Sequence, residues 1–143
     1  MKSDLYASFS FTHVNAVFSS DRFINSVNVK GFRLPYAPEN LISMRFRYAH
    51  QLGFSFGLNG SYVSEQFADN VNTLIGSSNG RTGLIPSYLI WDFSGQYQFR
   101  NLPLRGSLSI KNLFNRKYIA SRRPEGIKPG LFRQMMVGLD YIL

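Results

Sequence analysis

The chain has 143 residues, 44% of them hydrophobic and 15% aromatic, with 13 Phe and 8 Tyr against a single Trp. That length holds one domain with a core, the lack of cysteine excludes disulfides and thiolate metal sites, and no apolar run approaches the roughly 18 to 20 residues of a membrane-spanning helix. A net charge of +8, from 16 Lys and Arg against 8 Asp and Glu, calls for an anionic neighbour such as nucleic acid, lipid phosphate or an acidic ligand.

In chain order, the opening MKSDLYASFSF is broken by polar residues at once and offers no signal-peptide core. From there the dominant period is two. Leu5, Ala7, Phe9 and Phe11 face one way and Tyr6, Ser8, Ser10 and Thr12 the other. Ile42, Met44, Phe46 and Tyr48 alternate with Ser43, Arg45, Arg47 and Ala49. Phe54, Phe56, Leu58 and Tyr62 alternate with Ser55, Gly57, Asn59 and Ser61. Leu89, Trp91, Phe93, Tyr97 and Phe99 oppose Asp92, Ser94, Gln96 and Gln98, and Leu108 and Ile110 oppose Ser107, Ser109 and Lys111. The closing MMVGLDYIL aligns Met135, Val137, Leu139, Tyr141 and Leu143. An apolar stripe that runs to the last residue is unusual, because chain ends tend to be frayed and polar.

The breaks at 50–53 and 100–106 are short. The stretches 19–40, 65–87 and 112–132 are long and rich in Gly, Pro, Asn and Ser, and GSSNGRTG (76–83) has the composition of a flexible loop. The chain therefore reads as all-β, an antiparallel meander of about six long strands, with short turns at one end and long loops at the other. Strand length near the roughly 9 to 11 residues of a tilted spanning strand, a polar face of Ser, Gln, Asn, Asp and Arg, and aromatic ends on the apolar face fit part of the wall of a transmembrane β-barrel. A soluble lipocalin-like barrel or β-sandwich alternates in the same way.

No catalytic constellation is visible. His13 and His50 stand apart, and His50 adjoins a turn, so it reads as an interfacial residue rather than a ligand. Asp92 reads as a satisfied interior carboxylate paired to Arg45 or Arg47. GSSNGRTG lacks the Lys-Ser/Thr of a phosphate loop. Arg116, Lys117, Arg122, Arg123, Lys128 and Arg133 are opposed only by Glu125. They suggest a loop that steers an anion, or binds lipopolysaccharide phosphate, or is simply solvated. Nucleic-acid binding is disfavoured, because the aromatics lie in line with aliphatic residues while the cations sit in a loop or on the opposite side, and a stacking platform needs both on one surface.

The alternating last strand resembles the outer-membrane insertion signal that bacterial barrels present to their assembly machinery, with Leu143 where Phe is usual. A longer stretch, SIKNLFNRKYIASRRPEGIKPGLFRQMMVGLDYIL (109–143), closely resembles the end of TonB-dependent outer-membrane receptors. It shares their Asn-Leu-Phe-Asn/Asp-x-x-Tyr element, a Gly/Pro loop and an Arg-led last strand, here Asn112, Leu113, Phe114, Asn115, Tyr118, Gly126, Pro129, Gly130 and Arg133. GFRLPYAPENLISMRFRY (31–48) and IPSYLIWDFSGQYQF (85–99) resemble strand motifs of the same family, and ASRRPEGIKPG its ferric-dicitrate type.

The resemblance implies a parent barrel of about 22 strands filled by a plug. Residues 1–143 would then be the C-terminal part of such a barrel, without the plug. The implied function is part of an active-transport receptor for an iron chelate, a siderophore or ferric citrate, in the Gram-negative outer membrane, spanning it several times. Implied partners are membrane lipid and lipopolysaccharide, the barrel assembly machinery, the ferric chelate, and the plug and TonB complex through the missing N-terminal part. No cofactor, enzyme activity or nucleic-acid partner is expected. The alternative is a small self-standing outer-membrane barrel, or a soluble basic barrel that binds an anionic ligand or nucleic acid.

Overall fold

A computed structural model describes residues 3–123 and 125–142. All regular structure among them is β. In order the strands are β1 (Asp4–His13), β2 (Phe23–Ile24), β3 (Val27–Asn28), β4 (Asn40–Ala49), β5 (Phe54–Val63), β6 (Gln66–Phe67), β7 (Leu84–Ile85), β8 (Tyr88–Gln98), β9 (Leu104–Lys111), β10 (Ile119–Ser121), β11 (Lys128–Pro129) and β12 (Gln134–Tyr141). The long strands form one 6-stranded antiparallel sheet in the order β1-β4-β5-β8-β9-β12. The short ones pair as β2-β3, β6-β7 and β10-β11 inside the three long connections.

Register makes the alternation of each strand agree with that of its neighbours. Phe9 faces Met44, Phe46 faces Leu58, Leu58 faces Phe93, Phe93 faces Ile110 and Ile110 faces Met135. Because a slip of one residue would send every side chain to the other face, the six strands share one apolar face and one polar face. The wall is an antiparallel meander, as the period of two implies.

The apolar face is bare. Val137 is 83% exposed and Leu5 78%. A buried Val, Leu or Phe gains about 1.5–3 kcal/mol over an exposed one, so a surface this broad demands a nonaqueous cover.

Both turns at the short end are tight. At 50–53 the amide of Gly53 donates to the His50 carbonyl (3.0 Å), and Gly53 holds a left-handed φ of +92° that glycine adopts without strain. His50 Nδ1 accepts a hydrogen bond from the Leu52 amide (3.1 Å), and its ring stacks on Phe54 at 4.6 Å. The second turn spans 99–103 rather than 100–106. Leu104, Arg105 and Gly106 are recruited into β9 by pairing with Tyr141, Asp140 and Leu139 on β12. Pro103 and Gly106 suggested a longer break, but Pro103 precedes the strand, where its missing N–H costs nothing.

The long connections depart most from a simple loop reading. The β2-β3 hairpin turns through Asn25 (φ 49°) and Ser26 (φ 65°), the two positive φ values of a type I′ turn. The fully buried apolar residues Val29, Ala68 and Ile85 all belong to these connections. The core of the described residues therefore lies in a cap of interlocked loops at one end of the sheet, not beneath the sheet.

Candidate functional site

Three places bear on function: the cap, the seam where β9 leaves and β12 begins, and the two faces of the wall.

In the cap, Asp69 is the hub. One carboxylate oxygen accepts from the amides of Val71 (3.1 Å) and Thr73 (3.2 Å) and from the Thr73 hydroxyl (2.9 Å), and the other from the Gly83 amide (3.1 Å). Burial pushes its pKa up, but the donors from Gly83, Thr73 and Val71 outweigh it and hold the carboxyl below its ordinary value. Asn72 then ties the first long connection to the second, accepting from the Arg33 amide and donating to the Arg33 carbonyl, each at 2.8 Å. The Tyr36 hydroxyl reaches the third connection, where the Arg122 amide donates to it (3.2 Å). GSSNGRTG is accordingly fastened. The Asn79 side chain accepts from the Arg81 amide and the Ser77 hydroxyl from the Thr82 amide, while Gly80 is buried.

The basic loop divides. Arg116, Lys117, Arg123 and Lys128 are exposed. Arg122 is 8% exposed, and its guanidinium donates to the carbonyls of Leu84 (3.2 Å) and Gly80 (3.3 Å). Its charge serves the packing of the second and third connections, so it is placed unlike the other four. Nothing local separates Arg122 from Arg123, since the doublet reads the same in either order.

At the seam, Asn112 does most of the bonding. It is buried with a left-handed φ of 50°, a conformation Asn tolerates. Its amide donates to Asp92 (2.9 Å), its side-chain oxygen accepts from the Arg116 amide (2.8 Å), and its side-chain nitrogen donates to the carbonyls of Arg116 (2.9 Å) and Leu131 (2.8 Å). Leu113 donates to the Trp91 carbonyl, and Asn115 accepts from the Arg133 amide (3.0 Å), which sets where β12 starts. Phe114 is left exposed. Tyr118 packs its ring on Tyr88 at 4.4 Å and over Gly130, where a Cβ would fall inside the Tyr118 ring. The Asn-Leu-Phe-Asn-x-x-Tyr element thus forms a turn that docks the end of β9 against β8 and β12.

On the polar face Asp92 pairs with Lys111 (2.8 Å), not with Arg45 or Arg47. Register explains the difference: Asn59 of β5 lies between Arg45 and Asp92, whereas Lys111 shares the exit of β9 with the Asn112 amide that Asp92 already holds. Arg105 pairs with Asp140 (3.1 Å). Arg45 and Arg47 line a polar hollow of about 530 Å3 with Ser43, Asn59 and Ser94.

On the apolar face, Met135, Val137, Leu139 and Tyr141 of β12 share one side with Leu104, Leu108 and Ile110 of β9. Leu143 lies outside the described residues. β1 and β12 are the two edges of the open sheet. Among the described residues no three His, Asp or Glu side chains converge as metal ligands.

A family model described as TonB dependent receptor-like, beta-barrel, matches residues 3–115. The chain belongs to this family. It is similar to the ferric citrate transporter FecA in its unliganded form, with 31% identity over 77% of the chain and a TM-score of 0.68. It is also similar to the siderophore receptor PiuA from Acinetobacter baumannii, with 14% identity over 96% of the chain and a TM-score of 0.71, a likeness of fold. The chain spans 17% of the length of the first and 19% of the second. TonB-dependent receptors are outer-membrane transport receptors and not enzymes, and the six-strand meander matches a section of their barrel wall.

The sequence pointed to Asn112, Tyr118 and Gly130 through the family element. It missed Tyr36, Asp69 and Asn72 as the ties of the cap. Asp69-Asn70-Val71-Asn72-Thr73 has the Asx-turn composition that could have flagged them.

Proposed function

We propose that this chain is the C-terminal wall section of an outer-membrane receptor that takes up a ferric chelate, a siderophore or ferric citrate, with energy delivered by TonB. The similarity to the ferric citrate transporter over 77% of the chain carries this reading. Its apolar face meets lipid, its polar face lines the lumen toward the plug, its short turns lie in the periplasm and its cap lies outside. Strands of the same barrel pair with the edges of β1 and β12, because unpaired backbone groups in hydrocarbon cost several kcal/mol each.

In this reading Met135, Val137, Leu139, Tyr141 and Leu143 form the signal read by the assembly machinery. Arg116, Lys117, Arg123 and Lys128 face the phosphate-rich outer surface.

The test is uptake of iron-labelled citrate and of several siderophores by cells producing the receptor that carries this chain, with and without TonB. TonB-dependent accumulation of one chelate supports the reading. Accumulation of none, or accumulation independent of TonB, refutes it. The assembly signal is tested separately by replacing Tyr141 and Leu143 with Ser, which should leave the receptor outside the membrane fraction.

A further inference from the structure

We propose that a groove at the loop end of the apolar wall, lined by Tyr62, Leu89, Trp91, Phe114 and Arg116, binds one phosphate-bearing lipid of the outer leaflet. The phosphate sits on the Arg116 guanidinium and the acyl chains lie along the rings. This inference rests on the lipid-facing reading of that wall.

The groove holds about 540 Å3. Its floor is flat because Trp91 stands opposite Gly60, where an added Cβ would lie 2.8 Å from the indole. The indole therefore lies over bare backbone instead of projecting from the sheet. One side is Phe114, 71% exposed and held in place by the turn whose Leu113 amide donates to the Trp91 carbonyl. The head of the groove is Arg116. Asn112 fixes its backbone through both the amide (2.8 Å) and the carbonyl (2.9 Å), and its guanidinium forms no ion pair among the described residues. The guanidinium is thus anchored at its base and open at its tip.

Each half of the groove excludes a simpler ligand. A free anion would gain nothing from an apolar floor. A lipid without phosphate would leave the arginine without a partner beside hydrocarbon, where Arg favours a planar, bidentate oxyanion. A molecule with a phosphate head and aliphatic tails satisfies both.

Trp91 is the only tryptophan of this chain and lines the groove, so its emission reports occupancy once any tryptophan elsewhere in the receptor is replaced. The receptor that carries this chain, with every tryptophan outside the chain replaced by Phe, is placed in vesicles of a phosphate-free neutral glycolipid that carry either the acyl-brominated glycolipid or acyl-brominated phosphatidylglycerol, and quenching of Trp91 is measured against the brominated fraction. The expected result is half-maximal quenching at an about fivefold lower fraction of the anionic lipid, in keeping with a charge-assisted contact. Arg116→Ala should erase the preference, Arg116→Lys should keep part of it and Lys30→Ala should leave it intact. Equal quenching by both lipids, or a preference that survives Arg116→Ala, overturns the site while leaving the lipid-facing wall standing. Quenching by neither overturns the wall reading and the site together. A matching change in emission with inorganic phosphate alone, without lipid, overturns the lipid as occupant and leaves a plain anion site.

Discussion

The wall turns its apolar side chains outward, with Val137 83% exposed, whereas the cap folds Val29, Ala68 and Ile85 fully away from solvent. Both come from one chain of ordinary hydrophobicity, so composition does not distinguish them. Periodicity and hydrogen bonding do. The wall satisfies its backbone by ladders between sequence neighbours and leaves its side chains to an external solvent. The cap has little ladder, and it closes on side-chain bonds from Asp69, Asn72 and Arg122 around a small interior of its own. A change in the wall should therefore be felt through lipid, and a change in the cap through water and pH.

The largest expected effect is on the wall. Val137→Arg, near the middle of β12, should cost about 2–4 kcal/mol, the range for an arginine facing lipid near the midplane. The check is the denaturant midpoint of the barrel in vesicles, with the cap's protease resistance unchanged once the protein is folded. If the substitution is silent in vesicles, the assignment of that face to lipid is wrong.

Next is Arg122→Ala, which leaves the Leu84 and Gly80 carbonyls without their donor inside the cap. A loss of about 1–3 kcal/mol is expected from buried groups left unsatisfied, confined to the cap. Limited proteolysis should open sites in 64–87 and 112–133 while the strand circular dichroism stays constant. Arg123→Ala, on an exposed neighbour, should leave the cleavage pattern as it was.

Acid should also separate the regions. Asp69 has a folded pKa below its ordinary 3.8. Its contribution is therefore complete above about that pH and is lost as pH falls through the lower folded value. Amide exchange at Val71, Thr73 and Gly83 should quicken at the acid end ahead of exchange in β4 and β5. Asp69→Asn should flatten the pH dependence of those three amides.

The smallest effect belongs to Lys111→Met. Its pair with Asp92 is half open to water on the lysine side, and an exposed pair contributes about 0–1 kcal/mol. Asp92 keeps the Asn112 amide, so the turn should persist. A drop well beyond that range would mean that the pair, rather than Asn112, holds the seam.

The wall was legible in the sequence because a period of two survives from strand to strand. Phe46, Leu58 and Phe93 announce their face one strand at a time, and register only has to agree with them. The cap was not legible, because its ties are single residues far apart in the chain. Nothing near Tyr36 names Arg122 as its partner, and nothing in Arg122-Arg123 says which arginine turns inward. Asp92 is intermediate. Its need for a partner was readable from its position on the polar face, but the choice of Lys111 over Arg45 depends on which strand lies next to β8.

The meander order has a bearing on assembly. Every long strand pairs only with its predecessor and successor among the long strands, so contacts in the sheet can form like a zipper, one hairpin after another, without waiting for distant segments. The cap's fastenings join residues as far apart as Tyr36 and Arg122, which the side-by-side placement of β4, β5, β8 and β9 brings together. Distant pairings carry the greater closure entropy, so this topology favours hairpins ahead of the ties across the cap. Local hairpins before long-range ties is the order with the smaller entropic barrier at each step.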